Sequence, residues 1–521
     1  MIMDKKFTLL TVFAGMTCAV SEARNALPNI VIIMSDQQRA DLCGREGFPL
    51  EITPFVDSLA YRNAWFDKAY TSMPASSPAR CSMFTGRYPS VTDVRTNHNL
   101  ADISYGTDML QVLREAGYTT ALIGKNHAYL KPRDMDYWSA YGHWGKARPV
   151  TAAEKSTAEF LNEEAQGQWL EPSPIPLEEQ QPYKIVDEAI GWIGTQAAQD
   201  RPFFAWVSFP EPHNPFQVCE PYYSMFSPDK LPATDSDRAA LKFKDPSYGI
   251  LAELEDTSCP DLAEDLPRLR GNYMGMIRLI DDQIRRLVNA AKEQGIYDNT
   301  IFIILSDHGD YCGEYGLIRK GAGLSDYLAR IPMVWAGYGI ANDGPEPLGA
   351  CVSITDIFPT LCTAIGADIP LGVQGRSLWP MLTGGTYPER EFSSITVQRG
   401  FGGEAVPLDS TLTFAEEGAL TEGKVASFDE LNTWTQSGTS RMVRKGDWKL
   451  IIDSYGSGEL YNLEKDPSEL ENLFYARKYR DVRDDLMIEL LTWELRLQDP
   501  LPVPSRRYHF RTNEYNYHFN E

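Results

Sequence analysis

A hydroxyl, a proline and a guanidinium lie close together in one short segment of the chain. Residues 76–87 read SSPARCSMFTGR, so Ser76 precedes Pro78 and Arg80 follows it. Serine before proline is common at the start of a helix, where the serine serves as the N-cap. A helix N-terminus also stabilises an anion that develops beside it. The segment therefore predicts a helix start at which Ser76 is a cap, a nucleophile or both, while Cys81 is predicted to be a core cysteine.

Further polar side chains follow apolar runs elsewhere in the chain. The runs predict strands buried on both faces, typical of a parallel sheet covered by helices, and they span residues 29–34, 119–123, 203–209, 300–305 and 331–335. Ligand sites in such sheets lie at the carboxyl ends of the strands. The polar residues that follow the runs are Asp36 and Gln37, Lys125 and His127, His213, and Asp307 and His308. Their joint placement predicts a single site at one edge of the sheet.

The elements that must position this site alternate between strand and helix, which predicts an α/β fold. Helices are predicted at residues 108–116 and at 271–294, where apolar residues recur at helical spacing. After about residue 400 the pattern changes to short strands at 441–443, 448–452 and 459–462, followed by a helix at 481–497. We therefore expect a catalytic domain over 24–400, a C-terminal antiparallel-sheet subdomain over 401–521, and a surface insertion in the polar region 231–266.

The first residues have the features of an export signal. Two lysines precede an apolar run over residues 7–20 that is short for a membrane span, and small residues follow at positions 21 and 23. Residues 1–23 are thus predicted to be a signal peptide, and the protein is expected to be periplasmic or secreted. Lipid attachment at Cys18 is the alternative, although the preceding Gly-Met-Thr is a poor lipobox. No later run is long enough to cross a bilayer.

Charge and cysteine content restrict the partners. The 521 residues carry a formal net charge of −23, which repels polyanions, so nucleic acid is not an expected partner. An anionic substrate would need a local cluster of Lys, Arg or metal to overcome this field. The cysteines beyond the signal form no CxxC pair and do not indicate a zinc site. Cys219 and Cys259, which flank a polar region, could form a disulfide in an oxidising compartment.

Several segments together resemble the type I sulfatases, the formylglycine-dependent family of the alkaline phosphatase-like superfamily. Residues 76–87 are similar to the family signature, in which Pro, Arg and a Thr-Gly pair follow a Cys or, in serine-type members, a Ser. Further matches are GYTTALIGKNH at 117–127, SDHG at 306–309, DWKL at 447–450 and the segment 29–37. Independent motifs in one order seldom coincide by chance. The resemblance implies a large mixed, mostly parallel sheet between helices, with a smaller C-terminal α+β subdomain.

The resemblance implies that Ser76 is oxidised to formylglycine, an aldehyde that hydrates to a geminal diol. A plain serine would leave a serine sulfate that water must attack at a crowded sulfur. The second hydroxyl of a diol instead expels sulfate by C–O cleavage and regenerates the aldehyde. Oxidation of a serine requires a radical-type anaerobic maturase, which we expect as a partner in the native host. The predicted activity is that of a sulfuric ester hydrolase.

By the same resemblance, one divalent cation lies among Asp36, Gln37, Asp307 and His308, together with an oxygen of modified Ser76. Two carboxylates and a carbonyl suit a hard ion such as Ca²⁺. Gln37 stands where many members have Asp and His308 where many have Asn. The site then has one negative charge fewer, and imidazole is a better ligand for Mn²⁺ than for Ca²⁺. We expect Ca²⁺, with Mn²⁺ as the alternative.

The resemblance also implies a sulfate clamp. Lys125 and Lys320 would hold sulfate oxygens and spread the charge of the transition state, and Arg80 would support the formylglycine. His127 would take the proton that lets the hemiacetal collapse. His213 would protonate or stabilise the leaving alkoxide. The structural alternative for His213 is a turn residue beside two prolines.

Export and the polar insertion favour a sulfated carbohydrate, with an aryl sulfate as the simpler substrate. Residues 131–148 mix basic and aromatic side chains, which either contact a sulfated sugar or pack on the core. A phosphonate monoester or phosphodiester hydrolase of the same superfamily is the first alternative, because Asp-Gln and Asp-His pairs also occur there. A non-catalytic glycan-binding relative is the second.

Overall fold

The computed structural model describes residues 27–163, 169–199, 201–341, 344–403, 431, 433–498 and 514–519, so the predicted signal peptide lies outside the described residues. The strands are β1 (Asn29–Asp36), β2 (Ala64–Phe66), β3 (Ala69–Tyr70), β4 (Thr119–Lys125), β5 (Tyr137–Gly142), β6 (Gly145–Lys146), β7 (Phe203–Pro212), β8 (Thr300–Ser306), β9 (Met333–Gly337), β10 (Val352–Ser353), β11 (Ser394–Gly402), β12 (Gly438–Lys445), β13 (Trp448–Asp453) and β14 (Gly458–Asn462). The helices are α1 (Pro54–Ala60), α2 (Ser76–Thr85), α3 (Pro89–Thr92), α4 (Met109–Glu115), α5 (Ala152–Glu163), α6 (Gln181–Ala197), α7 (Tyr222–Met225), α8 (Pro246–Ser258), α9 (Leu262–Glu293), α10 (Asp326–Ala329), α11 (Ile357–Ala364), α12 (Trp379–Leu382), α13 (Thr433–Gln436) and α14 (Arg480–Leu497).

The central sheet has the strand order β2-β9-β8-β1-β7-β4-β5-β6 in the described part of the chain. Strands β8, β1, β7, β4 and β5 are parallel neighbours, whereas β2, β9 and β6 pair antiparallel. The mixed, mostly parallel sheet confirms the predicted α/β architecture. The run at 331–335 does form a strand, but β9 pairs antiparallel with β8. Segment 307–332 brings the chain back into the sheet at the same end where β8 leaves it.

Helices cover both faces of this sheet. In β1, Ile30, Ile32 and Met34 pack in one cluster with α2, α4 and α11. Val31 and Ile33 pack in another cluster with α1, α6 and α9. A strand between two helical layers must be apolar at every position, which explains the continuous apolar runs. The helices predicted at 108–116 and 271–294 are α4 and part of α9, which begins earlier than predicted, at Leu262.

A second, antiparallel sheet has the order β11-β12-β13-β14, and α14 packs against it. This is the predicted smaller C-terminal subdomain. Its first strand starts at Ser394, so the expected boundary between residues 400 and 401 falls inside β11.

The polar region 231–266 is not simply a surface insertion. Helix α8 within it buries Tyr248, Leu251 and Leu254 against Tyr311 and Tyr315. The apolar residues are spaced along one face of a helix, so the average polarity of the region concealed a buried segment.

The seven described cysteines are all buried and unbridged. The disulfide suggested between Cys219 and Cys259 is therefore absent, and both side chains pack in one apolar cluster. Cys81 is completely buried, as predicted for a core cysteine.

A buried ion network joins the C-terminal sheet to the larger unit. The side chain of Lys449 in β13 is fully buried, and its Nζ lies 2.9 Å from Asp326 Oδ1 and 2.8 Å from Glu469 Oε1. The Tyr70 hydroxyl donates to the other oxygen of Asp326 at 2.8 Å. The lysine of the DWKL segment thus links the C-terminal sheet to α10 and β3 of the larger unit.

We predict that Lys449→Met lowers the free energy of unfolding by about 3–5 kcal/mol, because it leaves two buried carboxylates short of a cation. Lys445→Met is the matched control in the neighbouring strand. Its ammonium contacts Asp485 and Glu489 at a partly exposed site, so we expect a loss of about 1 kcal/mol or less. Denaturant unfolding measures both values. Equal losses would contradict a special role for the Lys449 network.

Candidate active site

The carboxyl ends of the parallel strands deliver the predicted polar residues to one edge of the sheet. β1 and β8 pair in register with Ser35 opposite Ser306, so Asp36 and Asp307 emerge side by side. β4 ends at Lys125, and His213 directly follows β7. Four neighbouring strands therefore converge on one site, as the sequence predicted.

Ser76 lies at the centre of this site. It is the first residue of α2, and the N-cap position belongs to Ala75, so the cap interpretation of Ser76 is wrong. The Ser76 hydroxyl lies 3.1 Å from Asp36 Oδ1 and 3.1 Å from His308 Nε2. All ten residues of α2 are buried, and the positive end of the helix dipole is directed at the hydroxyl position. The helix dipole therefore favours a negative charge at residue 76, which the Asp36 carboxylate opposes.

Arg80 follows Ser76 by one helical turn and lies on the same face of α2. Its Nε donates to Asp307 Oδ2 at 2.8 Å, and one Nη donates to the Lys125 carbonyl and to Ser208 Oγ. The other Nη is buried without a hydrogen bond and lies 3.6 Å from Asp36 Oδ2. Arg80 therefore contacts both carboxylates, one helical turn after the Ser76 hydroxyl.

Asp36, Asp307 and His308 form the metal-ligand group found among the described residues, with one donor atom from each within 4.8 Å of the others. His308 Nδ1 lies 2.9 Å from the Gly309 carbonyl. A carbonyl only accepts, so Nδ1 carries the proton and Nε2 presents its lone pair to the group. Burial, opposed by the Asp307 carboxylate, lowers the pKa of His308 to about 4. The ring is thus neutral at pH 7, as a metal ligand must be.

Gln37 connects this group to Lys320. Its backbone is in the left-handed region (φ 70°), which lets its N–H donate to Asp307 Oδ1 at 3.0 Å. Its side-chain Nε2 donates to Asp310 at 2.5 Å, and its Oε1 accepts from Lys320 Nζ at 2.7 Å. Asp310 was missed in the sequence, although it lies only three residues after Asp307.

A chain of cationic and imidazole groups closes the other side of the site. The Lys125 ammonium contacts Asp36 and donates to His143 Nε2 at 2.8 Å. The His143 ring stacks on His213 with centroids 3.8 Å apart. His213 Nδ1 is held by the Asn214 carbonyl at 2.8 Å, which leaves Nε2 to accept from Lys320 at 3.1 Å. Both predicted clamp lysines are therefore connected through two stacked imidazoles.

His127 lies next to these cations and is partly exposed. Its φ of 45° is strained for a residue with a side chain. Burial of the ring and then the charge of Lys125 hold the pKa of His127 well below its usual range. Its buried Nδ1 has no hydrogen-bond partner within the described residues. A neutral imidazole of this kind can accept a proton.

The basic and aromatic segment 131–148 divides into two parts. Tyr137, Tyr141 and Lys146 all contact Glu188 of α6, so they pack on the scaffold. His143 is the part that reaches the site, although the sequence indicated it only as one of several basic and aromatic residues that could contact a sulfated sugar. The signal was its position just after β5, a strand that pairs parallel with β4 but was not predicted.

The sequence model of the sulfatase family matches residues 28–367. The chain belongs to the sulfatase family. Together with the named relatives below, this match shows that the protein is a sulfuric ester hydrolase. In the described part of the chain, every helix is too short or too polar to span a bilayer.

Relatives cover nearly the whole chain. An arylsulfatase of Clostridium perfringens is 26% identical over 90% of this chain and 94% of its own length. An ulvan-active sulfatase of Formosa agariphila is 26% identical over 95% and 94%. Among solved structures, the phosphonate monoester hydrolase of Agrobacterium radiobacter has a TM-score of 0.71 and 26% identity over 90% of this chain and 96% of that one.

We predict that His143 is a positioning residue for Lys125 and His213. His143→Ala removes both the acceptor and the stacking partner, so kcat/KM on 4-nitrophenyl sulfate should fall about 10–100-fold, as for other residues that orient catalytic groups. His143→Gln restores an acceptor for Lys125, and His143→Phe restores only the stacked ring.

Each of these two variants should recover part of the loss, and Val150→Ala, at a position that is 78% exposed, serves as the control. Wild-type kinetics in His143→Ala would contradict the positioning role. An equal loss in His143→Ala, His143→Gln and His143→Phe would indicate a purely structural one.

Proposed function

We propose that this sulfatase is exported and removes O-sulfate from a sulfated carbohydrate, using formylglycine derived from Ser76 and one divalent cation. The observation that carries the proposal is the position of Ser76 Oγ, 3.1 Å from both Asp36 Oδ1 and His308 Nε2 at the start of a buried helix. A residue with only a structural role would not need a buried carboxylate and an imidazole at its hydroxyl.

The residues present fit a divalent cation. Asp36, Asp307 and His308 supply two carboxylate oxygens and an imidazole lone pair with a fixed tautomer. The charges fit as well, because a cation would neutralise the Asp36 carboxylate. The Lys125 ammonium contacts that carboxylate here. Gln37 is the fourth proposed ligand, through an amide oxygen that here accepts from Lys320. Oxygen-rich ligands favour Ca²⁺, and His308 makes Mn²⁺ the alternative.

A formylglycine at position 76 supplies a geminal diol, in which one hydroxyl takes the sulfuryl group and the other expels sulfate as the aldehyde re-forms. Lys125 and Lys320 offer ammonium groups on either side of the imidazole pair and can hold sulfate oxygens. His127 has a neutral ring with a free nitrogen and is the proposed acceptor for the diol proton. Arg80 holds the carboxylates in place throughout.

His213 is the proposed proton donor to the leaving alkoxide. Burial, then the neighbouring His143 ring and the Lys320 ammonium hold its pKa well below the usual value in the free protein. A sulfate bound between the two lysines brings negative charge that favours the protonated ring. The Lys320 ammonium, 3.1 Å away, is positioned to replace the proton after transfer. An alkoxide of a sugar needs this proton more than an aryl oxide does.

The carbohydrate substrate is supported by the ulvan-active relative and by the predicted export signal. Trp144 is 40% exposed and lies beside His143, with ring centroids 6.2 Å apart. An exposed indole next to the clamp is suited to the face of a sugar ring.

Phosphonate monoester hydrolysis is the second candidate, favoured by the similarity to the Agrobacterium enzyme over nearly its whole length. The chemistry of the clamp does not separate the two, because sulfate and phosphonate monoesters both present anionic oxygens. Comparing kcat/KM on 4-nitrophenyl sulfate and on 4-nitrophenyl phenylphosphonate decides between them. The proposal requires the sulfate ester to be the better substrate.

We predict that native protein has lost two hydrogens at Ser76, as mass spectrometry of the peptide containing that residue would show. Protein made without a radical-type maturase should fold and bind metal but turn over poorly. Ser76→Cys, made in a host that converts cysteine, should recover activity because both residues lead to the same aldehyde, whereas Ser76→Ala should not. Active native enzyme with only unmodified serine would rule out this mechanism.

For the metal, we predict about one divalent ion per chain in wild type. Asp307→Asn should lose most of this ion, because it removes one of the two charged ligands while keeping the shape of the side chain. Elemental analysis measures the ion, and circular dichroism checks that the fold persists. Re-addition of Ca²⁺ or Mn²⁺ to chelated wild type identifies the active ion. Full activity without any metal would contradict the proposal.

A further inference from the structure

A cavity of about 190 Å³ lies between the larger unit and the C-terminal sheet. Its walls come from the segment just before α8, from β11–β14 and from residues 323–324. The side chains that matter for its chemistry are Phe243, Lys244, Arg399, Asp453, Glu459 and Tyr475. None of them belongs to the sulfate clamp or the metal-ligand group.

The lining has the composition of a site for a hydroxyl-rich ring. Asp245, Asp453 and Glu459 each use one carboxylate oxygen in a hydrogen bond within the protein, and the other oxygen can accept one from a sugar hydroxyl. The Lys244 ammonium already donates to the Glu469 carbonyl. Carboxylates outnumber cations, so the cavity suits sugar hydroxyls better than a second sulfate. Arg399 is only 5% exposed, and its Nε has no hydrogen-bond partner in the described part of the chain.

Two aromatic rings stand at the solvent side of the cavity. Tyr475 is 71% exposed and Phe243 is 57% exposed, and both line the cavity. Single exposed rings are common on protein surfaces, but here two of them line the same cavity. An aromatic face beside planar polar side chains can stack on the apolar face of a pyranose while its hydroxyls are bonded from the side.

The cavity is close to the sulfate clamp. Gly323 in its wall follows Lys320 by three residues, a chain length that spans at most about 11 Å. Gln436 donates a hydrogen bond to the carbonyl of Gly321, which lies between Lys320 and Gly323. Arg399 donates to the carbonyl of Thr435, the residue before Gln436. The segment that follows the clamp lysine is thus linked to Arg399 in the cavity wall through α13.

We infer that this cavity is a remote subsite that binds a sugar ring of the substrate chain beyond the sugar that carries the scissile sulfate. The inference rests on the proposed carbohydrate substrate. It makes the enzyme specific for oligosaccharides, since a monosaccharide or an aryl sulfate reaches only the clamp. Tyr475 and Phe243 supply the stacking surface, and the polar lining fixes the hydroxyls.

Steady-state kinetics with ulvan- and heparin-derived sulfated monosaccharides and tetrasaccharides tests the inference. Wild type should have a lower KM for the tetrasaccharide of a series that it hydrolyses. Tyr475→Ala and Phe243→Ala should each raise that KM about tenfold, the loss expected for one stacked ring. The KM for the monosaccharide and for 4-nitrophenyl sulfate should not change. Tyr61→Ala, an exposed tyrosine elsewhere, is the control and should match wild type on every substrate.

Equal KM values for short and long substrates in wild type would overturn the subsite, as would an equal loss on both in the variants. If the enzyme hydrolyses 4-nitrophenyl sulfate but no sulfated saccharide, the proposed function fails instead. Calorimetry with the desulfated tetrasaccharide then tests the cavity directly, because binding by wild type that is weakened in Tyr475→Ala supports it. No binding by wild type would exclude it.

Discussion

The site depends on two carboxylates that are completely buried at the ends of neighbouring strands. Asp36 and Asp307 have no exposed surface, and a buried carboxylate is stable only when it is paired and hydrogen-bonded. Arg80, Lys125 and the proposed cation serve this need. Each of these partners is fixed by a different element, so α2, β4 and the two central strands must be correctly placed before the charges balance.

This constraint also explains how an acidic protein can act on an anion. The chain has a formal net charge of −23, yet Arg80, Lys125 and Lys320 converge within one buried region. Their three charges balance those of Asp36, Asp307 and Asp310, so a divalent ion would make the region net positive. With the proposed cation bound, the local field at Ser76 would be opposite in sign to the average field of the surface, and burial would keep solvent from screening it.

Much of the fold followed from the sequence because strands covered on both faces are apolar throughout. The runs that became β1, β4, β7 and β8 were predicted closely, and the polar residues after them gave the edge of the sheet. The direction of β9 was not predicted, because an apolar run has the same composition in either orientation. Helix α8 was missed because its buried residues are diluted by a polar outer face.

Site residues that directly follow a strand were predicted from the sequence. Contacts that only the folded chain brings about were missed. His143 lies 16 residues from His127 and follows a strand with alternating burial that periodicity did not reveal. Its stacking on His213 joins segments 70 residues apart, which no local pattern encodes. Asp310 and its contact with Gln37 depend in the same way on the pairing of β1 with β8.

The complete burial of Ser76 sets an order of events during biosynthesis. A residue with no accessible surface, in a helix of which every residue is buried, cannot enter the active site of another protein once the chain has folded. An enzyme that oxidises Ser76 must therefore act on the extended chain, before α2 packs against the sheet. For the exported, formylglycine-dependent enzyme that we propose, the oxidation would then have to precede folding of the mature chain. The time between synthesis and folding would then limit the fraction of molecules that become active.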